Sequence, residues 1–174
     1  MTNKLLTVPF YSQYIDIADP HWIIRSCGIT CVKMALDYFG AKTPALDDLI
    51  KEAVAMGAYG DSGWYHDGLI AVAEKYGAEA YRKEDMDNKD GVLELFNALE
   101  NGSLVIVSVV QRLLGRKKYH QVLLVGYRES EHGLQGFYYH DPASTDREQG
   151  KGLYVNLDVF KVYWRNKAIF LKSK

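Results

Sequence analysis

A thiol that attacks a carbonyl needs a means of becoming thiolate, a nearby base, and a donor for the oxyanion that forms. Two cysteines are available, Cys27 and Cys31, in the stretch RSCGITCVKMALDYFG. From Gly28 the apolar positions Val32, Ala35, Leu36 and Phe39 recur at helical spacing, and Gly40 follows where a helix stops, so a helix should open near Cys27. Such a start offers Cys27 unpaired backbone N–H groups and the positive end of the helix dipole, both of which favour the thiolate. Gly28 leaves room for a substrate backbone to approach, and a main-chain N–H at the helix start can donate to an oxyanion. Cys31, one turn later and in register with Ala35, falls beside the buried stripe and reads as a small hydrophobe. On local sequence alone Cys27 reads equally well as packing. Its base must lie elsewhere in the chain.

The histidines are His21, His66, His120, His132 and His140. His120 opens HQVLLVGY, at the mouth of a strand whose remainder is apolar on both faces and therefore central in a sheet. The next strand, GFYYHDP, carries Asp141 at its end. If the two form a hairpin turning through ESEHG, one register sets His120 opposite Asp141, so that the carboxylate holds the ring while its other nitrogen faces a thiol. A slip of one residue would turn one of these side chains to the other face. His132, beside Gly133, reads as turn surface, His140 should point away from Asp141, and His21 lies in a loop. The bland alternative is a strand-end histidine bonded locally and an Asp-Pro turn. Two cysteines one turn apart without a second matched pair make a weak zinc signal, and no metal site is expected.

The elements that must position these groups change character along the chain. Helical periodicity fills most of the first 102 residues: after the Cys27 run, TPALDDLIKEAVAMG offers Thr43 as N-cap and Pro44 as first helical residue, and GWYHDGLIAVAEKYG and DGVLELFNALENG each repeat the pattern. KLLTVPFYSQ reads as a short strand before them, and AEAYR as another between helices. From Ser103 the runs SLVIVSVV, HQVLLVGY, GFYYHD, GLYVN and KAIFLK are β-branched or aromatic and divided by polar turns, with LDVFKVYW a short helix before the last. Helices followed by strands give an α+β fold, with N-terminal helices packed on one face of a C-terminal, largely antiparallel sheet.

No linker or repeat divides the sequence, so residues 1–174 are read as one domain. A net charge of −1 and the lack of any Lys/Arg block argue against nucleic acid or an anionic membrane as partner. The opening MTNKLLTVPFYSQY lacks the continuous apolar stretch of a signal peptide, and VLLVGY is far too short to span a bilayer, so the expectation is a cytoplasmic protein. Oligomeric state is not readable from the sequence.

Taken in order, VPFYSQ, SCGITCVKMALDYFG, YHQVLLVGY and YYHDPAS resemble the papain-like cysteine peptidases of family thirty-nine. These are bacteriocin-processing domains that cut leader peptides after a double glycine, with many stand-alone relatives. The similarity runs from Val8 to about Leu171. It implies a papain-like fold and a cysteine peptidase acting on a peptide or protein substrate, with no cofactor. It implies Cys27 as nucleophile, His120 as general base and then acid, Asp141 as the group orienting His120, and Gln13 as the oxyanion-hole glutamine. Two positions depart from the pattern: Ile29 stands where relatives often have Pro, and Tyr119 precedes the base where Gly is common, with GRKKY leading in. A bulky Tyr119 would narrow or cover the cleft. DPHWII and GDSGWYH are expected as rim loops, with Trp64 and Tyr65 readable as groove lining or as simple packing. Rival readings are an inactive peptide- or partner-binding domain on the same fold, an acyltransferase, and a redox pair of Cys27 and Cys31.

Overall fold

The computed structural model describes residues 2–111 and 118–174; the lead-in residues 115–117 of GRKKY thus lie outside the described residues. In chain order the elements are β1 (Thr2–Leu5), α1 (Pro20–Ile23), α2 (Cys27–Tyr38), α3 (Leu46–Ala55), β2 (Tyr59–Gly60), β3 (Gly63–Trp64), α4 (His66–Lys75), β4 (Ala78–Lys83) and α5 (Asp90–Glu100). Then follow β5 (Leu104–Gln111), β6 (Lys118–Ser130), β7 (Gly133–His140), α6 (Arg147–Gly150), β8 (Leu153–Asn156), α7 (Leu157–Tyr163) and β9 (Trp164–Ser173). The α+β reading holds. The main sheet runs β4-β9-β5-β6-β7-β8, every neighbour antiparallel, with β1 paired to the second half of β6. No helix among the described residues is long and apolar enough to cross a membrane.

Helices cover both faces of this sheet rather than one. Leu104, Ile106, Leu123, Val125, Ile169 and Leu171 point to α2, α3 and α4, while the alternate residues Val105, Val107, Val122, Leu124, Ala168 and Phe170 pack with α5 and α7. Period-two alternation sends successive residues to opposite faces, so an unbroken apolar run such as VLLV is stable only where both are covered. Gly126 ends that run because β1 comes close there: a Cβ would sit 2.0 Å from the Lys4 carbonyl oxygen.

Two local expectations shift. Helix α3 begins at Leu46 with Ala45 as its cap, not at Pro44, because the Thr43 hydroxyl is committed to Asp37 and to Lys33. The first strand ends at Leu5 instead of running on to Gln13. Pro9 cannot donate to a ladder, and the segment after Leu5 is fastened by other bonds: Leu6 N–H donates to the Val125 carbonyl, His140 Nε2 to the Val8 carbonyl at 3.0 Å, and Gln13 N–H to the Pro142 carbonyl at 2.8 Å. Gly152 N–H donates to His140 Nδ1, so that ring is fixed as a neutral, buried strut. These bonds stitch VPFYSQ to YYHDPAS.

Candidate active site

His120 and Asp141 meet, by a register different from the one expected. Leu123, not His120, lies opposite the end of β7, where it pairs with His140, and the hairpin closes at Ser130 and Gly133 around Glu131 and His132. Asp141 therefore falls level with Val122 and just past the strand end, an offset of two residues from His120. An offset of two keeps both side chains on the same face, where one of a single residue would not. The His120 Nε2 to Asp141 Oδ1 distance is 2.7 Å, and the Ala143 N–H donates to the same oxygen at 2.9 Å. His140 points the other way, into the strut described above.

Cys27 is the first residue of α2, with Ser26 as N-cap, and is half-buried. It shares one cleft with His120, and since Asp141 occupies Nε2, Nδ1 is the ring nitrogen left for the thiol. Burial alone would push the Cys27 thiol up. The hydrogen bond and charge of His120, with backbone N–H groups of Gln121 and Gly28, outweigh burial and hold it below its ordinary range. Burial likewise opposes a charged His120, yet Asp141 and Cys27 raise it to about 10. Burial would raise Asp141 as well, and His120 with the Ala143 N–H holds it below the usual carboxylate range. Each shift favours a thiolate–imidazolium pair beside a carboxylate.

Cys31 is fully buried, and its thiol is pushed well above the ordinary range by burial and by the charges of Cys27 and Asp141. It packs against β6 and gives its weak donor to the Gln121 carbonyl at 3.7 Å. Cys31→Ala is expected to leave the rate of Cys27 alkylation within about twofold of wild type, measured by mass spectrometry; a resolving thiol would lose its function in that variant.

A cleft of about 290 Å³ brings Gln13 together with Cys27 and His120. Gln13 is buried; its Nε2 donates to the Ile23 carbonyl at 2.7 Å, leaving a second amide N–H, while its Oε1 has no partner among the described residues. Trp64 also lines this cleft, packs on Trp22 and Tyr59, and donates its indole N–H to the Arg25 carbonyl at 2.7 Å, so it serves as both lining and packing. Tyr119 stands at the cleft 60% exposed, with its ring under Arg165.

Three site residues were not visible in the sequence reading. The space above Gly28 is taken by the Gln121 side chain, whose Oε1 lies 2.1 Å from where a Cβ would stand, so the glycine admits Gln121 rather than a substrate backbone. Gln121 Nε2 in turn meets His66 Nε2 at 3.2 Å, an N–H to bare nitrogen contact that leaves the hydrogen on the buried His66 Nδ1, which has no partner among the described residues. Alternation could have flagged Gln121, a polar residue on the α2 side of an otherwise apolar strand. Nothing local marks His66 or Arg165, which arrive from β3–α4 and β9.

The fold has known counterparts. The chain belongs to the Peptidase_C39 like family, whose model matches residues 5–168. A C39-like protein from Bacillus anthracis is similar in fold, with a TM-score of 0.71 at 19% identity over 100% of this chain and 99% of that one. A double glycine motif protease from an AMS/PCAT transporter, solved in complex with the leader peptide, gives a TM-score of 0.63 at 15% identity, with 100% of each chain covered. The peptidase domain of Streptococcus ComA, a bifunctional ABC transporter in a quorum-sensing pathway, gives 0.62 at 18% identity over 87% of this chain and 93% of that domain. At such identities the likeness is one of fold. No curated protein matches the chain.

Proposed function

We propose that the protein is a cysteine peptidase-like hydrolase that cleaves a peptide or related amide bond through a thioester on Cys27. The observation that carries this reading is the 2.7 Å His120–Asp141 contact at a ring whose other nitrogen serves a thiol held at a helix start. The Cys27 thiolate attacks the carbonyl carbon, a C–S bond forms, and the carbonyl electron pair moves onto oxygen. The Gln13 amide and main-chain N–H groups at the start of α2 donate to that oxyanion. The His120 imidazolium gives its proton to the departing nitrogen as the C–N bond breaks. Neutral His120 then takes a proton from water, which attacks the thioester and releases Cys27 as thiolate. Asp141 holds the ring so that one nitrogen stays aimed at the thiol and stabilises its charged form.

The family and the neighbours' peptide-processing roles support a peptide substrate. The test is to mix the protein with activated peptide esters, quench in acid, and measure intact mass. The expected result is an adduct of one acyl group on Cys27 that decays in water. An adduct absent from wild type, or still formed by Cys27→Ala, would reject the reading in favour of a domain that only binds.

A further inference from the structure

Among the described residues, two arginines open onto the cleft and no carboxylate does. Arg25 and Arg165 line it with Cys27, His66 and His120, and none of its lining residues is Asp or Glu. Arg165 is aimed there by an irregularity in β9. The β5–β9 ladder pairs Val107 with Ala168 and resumes at Val109 with Trp164, so Arg165, Asn166 and Lys167 together face Ser108 alone. Asn166 takes a left-handed conformation (φ 57) and is clamped to Met86 by two hydrogen bonds, its amide to the Met86 carbonyl and the Met86 N–H back to its own carbonyl. Such bulges turn a side chain out of the ladder and are frequent beside functional sites.

The guanidinium of Arg165 lies 3.3 Å from the centroid of the Tyr119 ring. Stacking holds the plane of the group while its in-plane N–H groups stay open to a planar anion. Among the described residues no carboxylate pairs with Arg165 or Arg25, whereas their neighbours Arg82 and Lys167 are taken up by Asp67 and Glu84. Arg25 gives one N–H to the His21 carbonyl at 2.7 Å and keeps its charge unpaired by any acid. Among the described residues the cleft thus presents positive charge and an oriented fork with no carboxylate in its own lining; Asp67 and Glu84 line the adjoining pocket beyond Arg165, where they are held by Arg82 and Lys167.

We propose that the cleft selects substrates carrying a carboxylate next to the bond that is cleaved, with Arg165 reading it through a two-point hydrogen-bonded pair and Arg25 adding charge. This rests on the hydrolase reading above and names the substrate class of that site. It also gives Tyr119 a task, as the platform that holds Arg165. The carboxylate can belong to an Asp or Glu side chain or to a chain terminus, since both offer the same planar anion.

The experiment measures alkylation of Cys27 by chloroacetyl-Glu-amide, chloroacetyl-Gln-amide and chloroacetyl-Gln with a free terminal carboxylate, each rate divided by that for free cysteine. In wild type a carboxylate-bearing probe should react about tenfold faster than the Gln amide, and which of the two does so identifies the source of the acid. Arg165→Gln should bring that ratio close to one, and Arg165→Glu should favour chloroacetyl-Lys-amide instead. Equal rates for all three probes in wild type, or a preference that survives in Arg165→Gln, overturn the inference. The underlying reading is checked separately with the Gln amide in His120→Ala: a rate as fast as wild type there would defeat the hydrolase reading itself, whatever the charge preference.

Discussion

His120→Ala is expected to slow acylation of Cys27 at pH 7 by about a hundredfold or more, the range in which a positioned acid–base group acts. Two effects combine. His120 supplies the hydrogen bond and charge that hold the Cys27 thiol below its ordinary range, and without them burial dominates and pushes it up. An ordinary thiol near 8.5 is only a few per cent thiolate at pH 7, and a buried one less. The variant also lacks the proton donor for the leaving nitrogen. Asp141→Asn should fall between wild type and His120→Ala, because the ring keeps a partner at Nε2 but loses the carboxylate's charge. Acylation rates from intact mass check both, and a loss of less than tenfold in His120→Ala would mean that some other group activates the thiol.

Asp37→Ala is expected to cost about 3 kcal/mol of stability, the magnitude seen when one partner of a buried ion pair is removed. Asp37 accepts from Lys33 at 2.8 Å, from Tyr11 at 2.7 Å and from Thr43, and Lys33 is itself buried. Burial, then the hydrogen bond and charge of Asp37, pushes the Tyr11 hydroxyl up to about 12. Removing the carboxylate strands an ammonium against Thr43 and the face of the Tyr11 ring, 5.1 Å from its centroid. Tyr11 stands two residues before Gln13, so this network also fastens the Gln13 segment to α2, whose first residue is Cys27. Asp37→Asn should cost less, since an amide oxygen still accepts from Tyr11 and Thr43. Urea unfolding of the three proteins measures this, and a loss in Asp37→Ala below about 1 kcal/mol would show the network to be no stronger than an exposed pair.

The parts of the fold carried by periodicity were legible from the sequence. Helix α2 begins at Cys27 as its apolar spacing and Gly40 require, and β5, β6 and β9 alternate faces residue by residue over 104–107, 122–125 and 168–171. What the sequence under-reports is coverage: an apolar run long enough to be two-sided implies a second helical layer, which the one-face reading of the sheet omitted. The hairpin shows another limit. Face parity survived an offset of two residues, so His120 still meets Asp141, but the register itself depends on turn geometry and on the irregularities near Val125 and Glu129, which no local pattern announces. Gly28 was read as space for substrate and is space for Gln121 instead, because a glycine marks a close approach without saying by what. Arg165 was invisible for the same kind of reason: its direction is set by the left-handed Asn166, not by its position in an alternating strand.

A thiolate–imidazolium pair at Cys27 and His120 should be read out by the pH dependence of Cys27. Because the folded thiol is held below its unfolded value, its thiolate should already be formed at pH values where a free cysteine near 8.5 is protonated. Because His120 is raised to about 10, the imidazolium needed by the leaving nitrogen should persist until the pH passes that value. The measurement is alkylation of Cys27 by iodoacetamide from pH 4 to 11 alongside peptide hydrolysis over the same range. Alkylation is expected to rise well below pH 8.5 and then stay level, and hydrolysis to rise with it and fall as the pH passes about 10. A single alkylation step at or above pH 8.5, unchanged in His120→Ala, would contradict it.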